Sequence, residues 1–356
     1  MRLLLSSSYR LREKGSKSHH KNGSVALPST LSWMMERKHR MNILITGGAG
    51  FIGANLCRFL LEQHKAERVI AVDSFHSYYD PAIKRKRMAL LEKLPGFCLV
   101  ETDILDTAAM SQLMEKEKPD AIIHLAAIPG VRGSLDDPLG YVDVDVKGTV
   151  QMLELARKYG IARIVAASSS SVYGERAVDR SFCESEPDLN PISPYAASKA
   201  AAELFCRTYT QLYGMHVTAL RFFTVYGPGQ RPDMAISKFV KSIMEDKPIT
   251  VFDLQSVRDY TYVDDIVRGI WAAVQQANGW QVYNLGSGHP VSLLELVRLL
   301  EQTTGKSAHM QRQGAQPGDV SGTWANTEQA RERLGWSAEV SLPDGLRRYV
   351  EWWLRQ

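Results

Sequence analysis

Short runs rich in β-branched residues alternate along the chain with longer stretches in which apolar side chains recur every three or four positions. Asn42 to Thr46, Arg68 to Asp73, Phe97 to Glu101, Asp120 to Leu125, Ala162 to Ala167 and His216 to Arg221 read as strands, and amphipathic helices fit between them. Strands that alternate with helical stretches imply βαβ units, which predicts an α/β fold with a doubly wound parallel sheet and helices on both faces. After Arg221 the texture changes. Gly227-Pro228-Gly229 and Gln316-Pro317-Gly318 divide the chain into shorter elements, with helices predicted over 264–276, 292–303 and 341–354. The expectation is a main domain over 41–221 to which 258–286 returns, and a smaller C-terminal α/β lobe made of 222–257 and 287–356.

A chain of 356 residues is longer than one core usually supports, which agrees with two lobes. No apolar run approaches the roughly 20 residues of a membrane-spanning helix, so a soluble protein is expected. The formal net charge of +4 suggests nucleic acid until its distribution is considered. Residues 1–40 carry nine Lys or Arg against two Glu, a surplus of seven that exceeds the chain's total and leaves the remainder at −3. An acidic body without a basic stripe argues against a nucleic-acid partner. The basic, Ser-rich segment 1–40 lacks apolar periodicity and reads as a disordered extension, with a transit peptide or a misplaced start codon as alternatives. Cys57, Cys98, Cys183 and Cys206 form no CxxC pair and no metal-ligand spacing with His, the pattern of free thiols in a reducing cytoplasm without a metal site.

The first strand runs into Thr46-Gly47-Gly48-Ala49-Gly50-Phe51-Ile52-Gly53, which puts glycines at 47, 50 and 53 where a helix must begin. The turn needs backbone freedom, a pyrophosphate needs bare backbone to approach, and the helix must pack closely on its strand; the helix N-terminus then offers N–H groups to phosphate. Asp73 ends the second strand 20 residues after Gly53, placed to accept hydrogen bonds from a ribose. A carboxylate there repels a 2′-phosphate and Ser74-Phe75 provide no arginine for one, so the predicted cofactor is NAD on a Rossmann-type sheet. The basic run Lys84-Arg85-Lys86-Arg87 reads as a solvated helix face.

Ser168-Ser169-Ser170-Ser171-Val172-Tyr173-Gly174 follows the fifth strand, and Tyr195-Ala196-Ala197-Ser198-Lys199 opens a helix. Tyr195 and Lys199 are i and i+4, hence on one helical face. An ammonium close to a phenol stabilises the phenolate, which makes tyrosine a usable general acid or base. A serine hydroxyl at the end of the fifth strand, Ser169, can bond to the same substrate oxygen.

These features together resemble an extended short-chain dehydrogenase/reductase of the nucleotide-sugar epimerase branch. The resemblance covers Met41 to nearly the C-terminus and is carried by TGGAGFIG at 46–53, HLAA at 124–127, SSSVYG at 169–174, YAASK at 195–199 and RDYTYVDD at 258–265. Ala127 to Arg132, Arg221 to Pro228 and Arg231-Pro232-Asp233-Met234-Ala235 are most similar to UDP-glucuronate 4-epimerases. The resemblance implies that Gly47, Gly50, Phe51, Ile52, Gly53, Asp73, Asp103, Ile104, Leu125, Ala126, Ala127, Tyr195 and Lys199 hold NAD. It implies that Arg132, Ser170, Ser171, Thr224, Arg231, Met234, Arg258 and Asp319 hold a UDP-sugar, and that Ser169, Tyr195 and Lys199 carry a 4-epimerisation through a 4-keto sugar with hydride returned to the opposite face. Helices near Tyr141 to Tyr159 and Tyr195 to Tyr213 resemble those that pair in a homodimer.

Sister reactions on this scaffold leave alternatives open. Dehydratases that resemble this site carry Asp-Glu where this chain has Ser170-Ser171, and UDP-glucuronate decarboxylases carry Glu at the Ser171 position; hydroxyls cannot replace those carboxyl groups. Galactose-type epimerases place Asn where Thr224 stands, which implies a different C6 group. A UDP-hexose or UDP-N-acetylhexosamine 4-epimerase, a decarboxylase and a non-catalytic NAD sensor are the rival readings. Two departures from the resemblance stand out. Asp145 occupies a position where the pattern resembles Asn, so its carboxylate needs a partner such as Lys147. The turn from Phe252 to Arg258 is one residue short and lacks the usual glycines.

Overall fold

The computed structural model describes residues 41–175, 179–186, 189–314, 318 and 320–356. The extension 1–40 and Asp319 lie outside the described residues.

Seven parallel strands form the main sheet: β1 (Met41–Thr46), β2 (Ala66–Asp73), β3 (Phe97–Glu101), β4 (Ala121–His124), β5 (Arg163–Ser169), β6 (His216–Phe222) and, later in the chain, β10 (Trp280–Leu285). Their spatial order is β10-β6-β5-β4-β1-β2-β3. The order reverses between β1 and β4, and a crevice at the carboxyl ends of the strands opens at such a switch point. Alternation along each strand separates two cores. Ile43 and Ile45 face a cluster with the helices Phe51–Glu62, Pro81–Leu91 and Val263–Gln275. Leu44, Ile70 and Val72 face another with Thr107–Glu117, Gly148–Lys158 and Pro194–Tyr213.

The six predicted strands match β1 to β6 within two residues at each end, and the three C-terminal helices appear as Val263–Gln275, Leu293–Thr304 and Leu342–Leu354. Beyond β6 come small sheets. Strand β7 (Thr224–Tyr226) pairs in parallel with β9 (Val257–Tyr262), which pairs antiparallel with β11 (Pro290–Ser292), while β8 (Ile249–Val251) lies beside β12 (Met310–Arg312). The expected return to the main layers at residue 258 therefore comes in two steps: β9 stays in the three-stranded sheet, and the helix Val263–Gln275 with β10 rejoins the large one. A third core gathers Tyr226, Ile236, Phe239, Val251, Tyr260, Leu296, Leu300 and Tyr349 around those small sheets.

Candidate active site

The helix Phe51–Glu62 begins at Gly50, which places no side chain over its first N–H groups. Gly47 has φ +69°, and a Cβ there would lie 2.8 Å from the Ala126 nitrogen. A Cβ on Gly53 would sit 2.3 Å from the Gly47 oxygen, so this glycine lets the helix close against the turn. The bare N-terminus opens into a cavity of about 1180 Å³ along the carboxyl ends of the strands. That exceeds the ~300–1,000 Å³ of an ordinary ligand pocket and leaves room for a dinucleotide and a second nucleotide side by side. The glycine cradle and the Asp73 carboxylate fit NAD, the cofactor expected from the sequence.

Gly47, Gly50, Phe51, Ile52, Gly53, Asp73, Asp103, Ile104, Leu125, Ala126, Ala127, Tyr195 and Lys199 all line this cavity. So do Ser169, Ser170, Ser171, Arg132, Thr224, Arg231, Met234 and Arg258. Every predicted site residue that the structure describes is thus brought to one space.

Asp73 ends β2 with its carboxylate buried; Oδ2 accepts from the Ala49 nitrogen at 3.1 Å, and Oδ1 from the Phe75 nitrogen at 2.8 Å and Lys84 Nζ at 3.0 Å. The basic run is not a solvated face. Asp80 caps the helix with Pro81 at its first position, and the three-residue spacing of Lys84 and Arg87 then turns both inward. Lys84 is buried against Asp73, and Arg87 donates to the Gly229 and Ala49 oxygens at 2.6 and 3.2 Å. Arg85 pairs with Glu101 outside, and Lys86 is exposed. Helical periodicity applied to the charges, rather than to the apolar residues alone, was the signal for Lys84. Tyr78 and Lys238 also line the cavity without a sequence signal, since a lone aromatic in a loop or a lone lysine in a short helix shows no period.

Ser193 caps the helix Pro194–Tyr213 by accepting from the Ala196 nitrogen, and Pro194 starts its first turn. This sets Tyr195 at the mouth of the helix and Lys199 one turn deeper. Lys199 Nζ lies 5.9 Å from the Tyr195 ring centroid, donates to the Ala167 oxygen at 3.4 Å and pairs with Asp145 Oδ2 at 3.5 Å. The expected Asp145–Lys147 pairing does not form: Lys147 faces Asp143 at 3.7 Å, while Asp145 points inward from a π-helical turn, Val142–Lys147. Beneath Lys199, His124 bridges Thr46 at 2.7 Å and Thr149 at 3.1 Å. Burial, reinforced by the Lys199 ammonium, pulls its pKa down to about 3, so it stays neutral. Tyr195 packs edge-on against Tyr141 with centroids 6.0 Å apart. Ser169 Oγ accepts from the Ser171 nitrogen and hydroxyl at 3.2 and 3.0 Å, which holds the three serines in one short turn.

At the far side, Arg231 makes a two-pronged pair with Asp233, both bonds 2.9 Å, and lies over the Tyr78 ring. Arg132 stacks on Phe252 at 4.7 Å. The shortened turn therefore still contributes to the cavity, through Phe252, Asp253 and Ser256. Arg258 is tied to the Val257 and Val320 oxygens, each at 2.9 Å.

The pattern described as the NAD dependent epimerase/dehydratase family matches residues 43–286. The chain belongs to the NAD-dependent epimerase/dehydratase family. A family member from Thermodesulfobacterium geofontis (strain OPF15), named UDP-glucuronate 4-epimerase, is 42% identical over 311 residues, spanning 87% of this chain and 95% of that protein. The crystal structure of UDP-glucuronic acid 4-epimerase from Bacillus cereus, in complex with UDP-glucuronic acid and NAD, is 37% identical and superposes with a TM-score of 0.84 over 88% of this chain and 99% of that one. A dTDP-glucose 4,6-dehydratase of the same fold, DesIV from Streptomyces venezuelae, is 31% identical with a TM-score of 0.83, covering 89% and 98%. Likeness of scaffold alone therefore does not choose among reactions within the epimerase/dehydratase family.

Proposed function

We propose that this protein is an NAD-dependent 4-epimerase that interconverts UDP-glucuronate and UDP-galacturonate. The observation that supports this most strongly is the meeting of Tyr195, Lys199 and Ser169 with the glycine cradle in one cavity whose sugar end offers hydroxyls at Ser170, Ser171 and Thr224. Bound NAD supplies a hydride acceptor and donor for C4 of the sugar. Tyr195 takes the proton from the 4-hydroxyl and later gives a proton back to the same oxygen, once hydride has been returned to the opposite face of C4, with Lys199 stabilising the phenolate. Ser169 holds the C4 oxygen. Ser170, Ser171 and Thr224 hold the C6 carboxylate, and Arg132, Arg231, Met234 and Arg258 border the nucleotide half. For a uronate the 4-keto sugar is a β-keto acid, so fixing that carboxylate also guards against loss of carbon dioxide.

Asp73, with Lys84 beside it, holds the adenosine ribose in this reading, and Gly47, Gly50 and Gly53 admit the pyrophosphate. The main sheet's layers form the cofactor domain, and 222–257 with 287–356 form the UDP-sugar lobe. Because the hydride is returned in each cycle, NAD is retained rather than consumed. Denaturing the purified protein is expected to release NAD, and turnover is expected to proceed without added cofactor; a requirement for NADP, or one NAD consumed per product, would refute the closed cycle.

A homodimer in the cytoplasm completes the proposal. Val142, Leu204 and Leu212 are exposed apolar residues on the segments that would pair. Cys57, Cys98, Cys183 and Cys206 are all free thiols, as a reducing compartment would keep them. Among the described residues no helix is long and apolar enough to cross a membrane.

A further inference from the structure

We propose that Asp145 is a positioning residue for proton transfer at Tyr195, acting through Lys199: its carboxylate anchors the ammonium and shifts the working pH range of turnover upward. This rests on the function proposed above. The side chain of Asp145 has no exposed surface, and that of Lys199 is 7% exposed. Oδ1 accepts from the Ile128 nitrogen at 2.9 Å, while Oδ2 lies 3.2 Å from the Ser198 hydroxyl and 3.5 Å from Lys199 Nζ. The backbone N–H and the ammonium have only protons to offer and so complement the charged carboxylate, while the Ser198 hydroxyl also donates to the Tyr195 backbone oxygen at 2.9 Å. Burial pushes the Asp145 carboxyl up, and the Lys199 ammonium is the largest influence pulling it back.

The other titratable groups around this pair include Tyr78, which lines the cavity with Tyr195, and Cys206, a thiol whose pKa burial pushes up. From the helix Pro194–Tyr213, Tyr195 faces it, and Glu203 is engaged with Arg221 at 2.7 Å. Tyr141 contributes its ring from the preceding short helix, with its hydroxyl on the Gly130 oxygen at 2.8 Å. His124 on β4 is neutral. Thr149 meets the backbone oxygen of Asp145 from the helix Gly148–Lys158, whose Glu154 and Arg157 pair with each other while Lys158 donates to Ser111. Lys147 pairs with Asp143, and Arg231 with Asp233. The Asp145 carboxylate is thus matched to Lys199.

Lys199 consequently has a phenol on one side and a buried negative charge on the other. The carboxylate offsets part of the ammonium's pull on a developing phenolate. Removing a buried unit charge from beside the ammonium is expected to move the pH midpoint of turnover by about one unit.

The test is Asp145→Asn, which keeps the shape and the acceptor for Ile128 while removing the charge. Turnover of UDP-glucuronate is followed against pH in parent and variant, with bound NAD and the melting temperature measured on the same samples. The half-maximal pH is expected to fall by about one unit with NAD retained. Asp145→Ala removes the same charge and should give the same shift at a lower melting temperature, since the Ile128 nitrogen loses its acceptor. A readout independent of turnover is acetylation of Lys199 at fixed pH, mapped by mass spectrometry, which should be faster in Asp145→Asn because the anchor is gone. Superimposable pH profiles, equal loss of rate at every pH, loss of NAD from both variants, or unchanged acetylation would each overturn the proposal. If the parent turns over no UDP-sugar, the proposed function fails, and acetylation of Lys199 still decides the role of Asp145.

Discussion

Tyr195→Phe is expected to lower epimerisation by about 10² to 10⁴-fold while NAD stays bound, because it deletes one hydroxyl and leaves the phosphate cradle intact. The cofactor contacts expected of Gly47, Gly50, Gly53 and Asp73 do not use that oxygen. Neighbouring support is also unaffected: Ser193 still caps the helix, and the edge-on packing of ring 195 against Tyr141 needs no hydroxyl. Loss of activity with loss of NAD would indicate a damaged fold rather than a missing acid–base group. A rate within threefold of the parent would remove Tyr195 from the chemistry.

The second large effect concerns the sugar. If Ser170, Ser171 and Thr224 hold a carboxylate, UDP-glucuronate should be converted far more efficiently than UDP-glucose. A charge-assisted hydrogen bond contributes about 1.5 to 3 kcal/mol, so its loss corresponds to roughly 10 to 150-fold in kcat/KM. Arg231→Ala is expected to weaken uronate turnover more than NAD binding. Arg231 is already paired with Asp233, so truncation also leaves a partly buried carboxylate uncompensated near the anionic ligand. Removing both, as Arg231→Ala with Asp233→Asn, should therefore recover part of the loss. A panel of UDP-glucuronate, UDP-glucose and UDP-N-acetylglucosamine measures the discrimination directly, and equal efficiency on all three would refute the assignment of the C6 pocket.

Much of the main sheet was legible because its strands are buried apolar runs between amphipathic helices, a pattern that fixes period and face together. The glycine turn was equally legible because Gly47 has a positive φ that favours glycine, and Tyr195 with Lys199 because an i, i+4 spacing puts both on one helical face. The small sheets were not predicted: β7, β8, β11 and β12 have three residues each, too few to show a period. Lys84 was misread because a run of four cations looks solvated until its helical phase is set by the Asp80 cap. The partner of Asp145 was misread because Lys147 is its neighbour along the chain but not on the inward side of the π-helical turn. Lys199 comes from a different helix, and the contact exists only once the tertiary fold has formed. Local sequence specifies caps, turns and faces; pairs brought together across the fold need the fold itself.

The most direct test is to incubate the purified protein, with no cofactor added, with UDP-glucuronate and to separate the nucleotide sugars formed. The account predicts UDP-galacturonate accumulating to an equilibrium mixture that is also reached from the galacturonate side. UDP-xylose as the main product, or unchanged UDP-glucuronate from protein that still holds NAD, would contradict it.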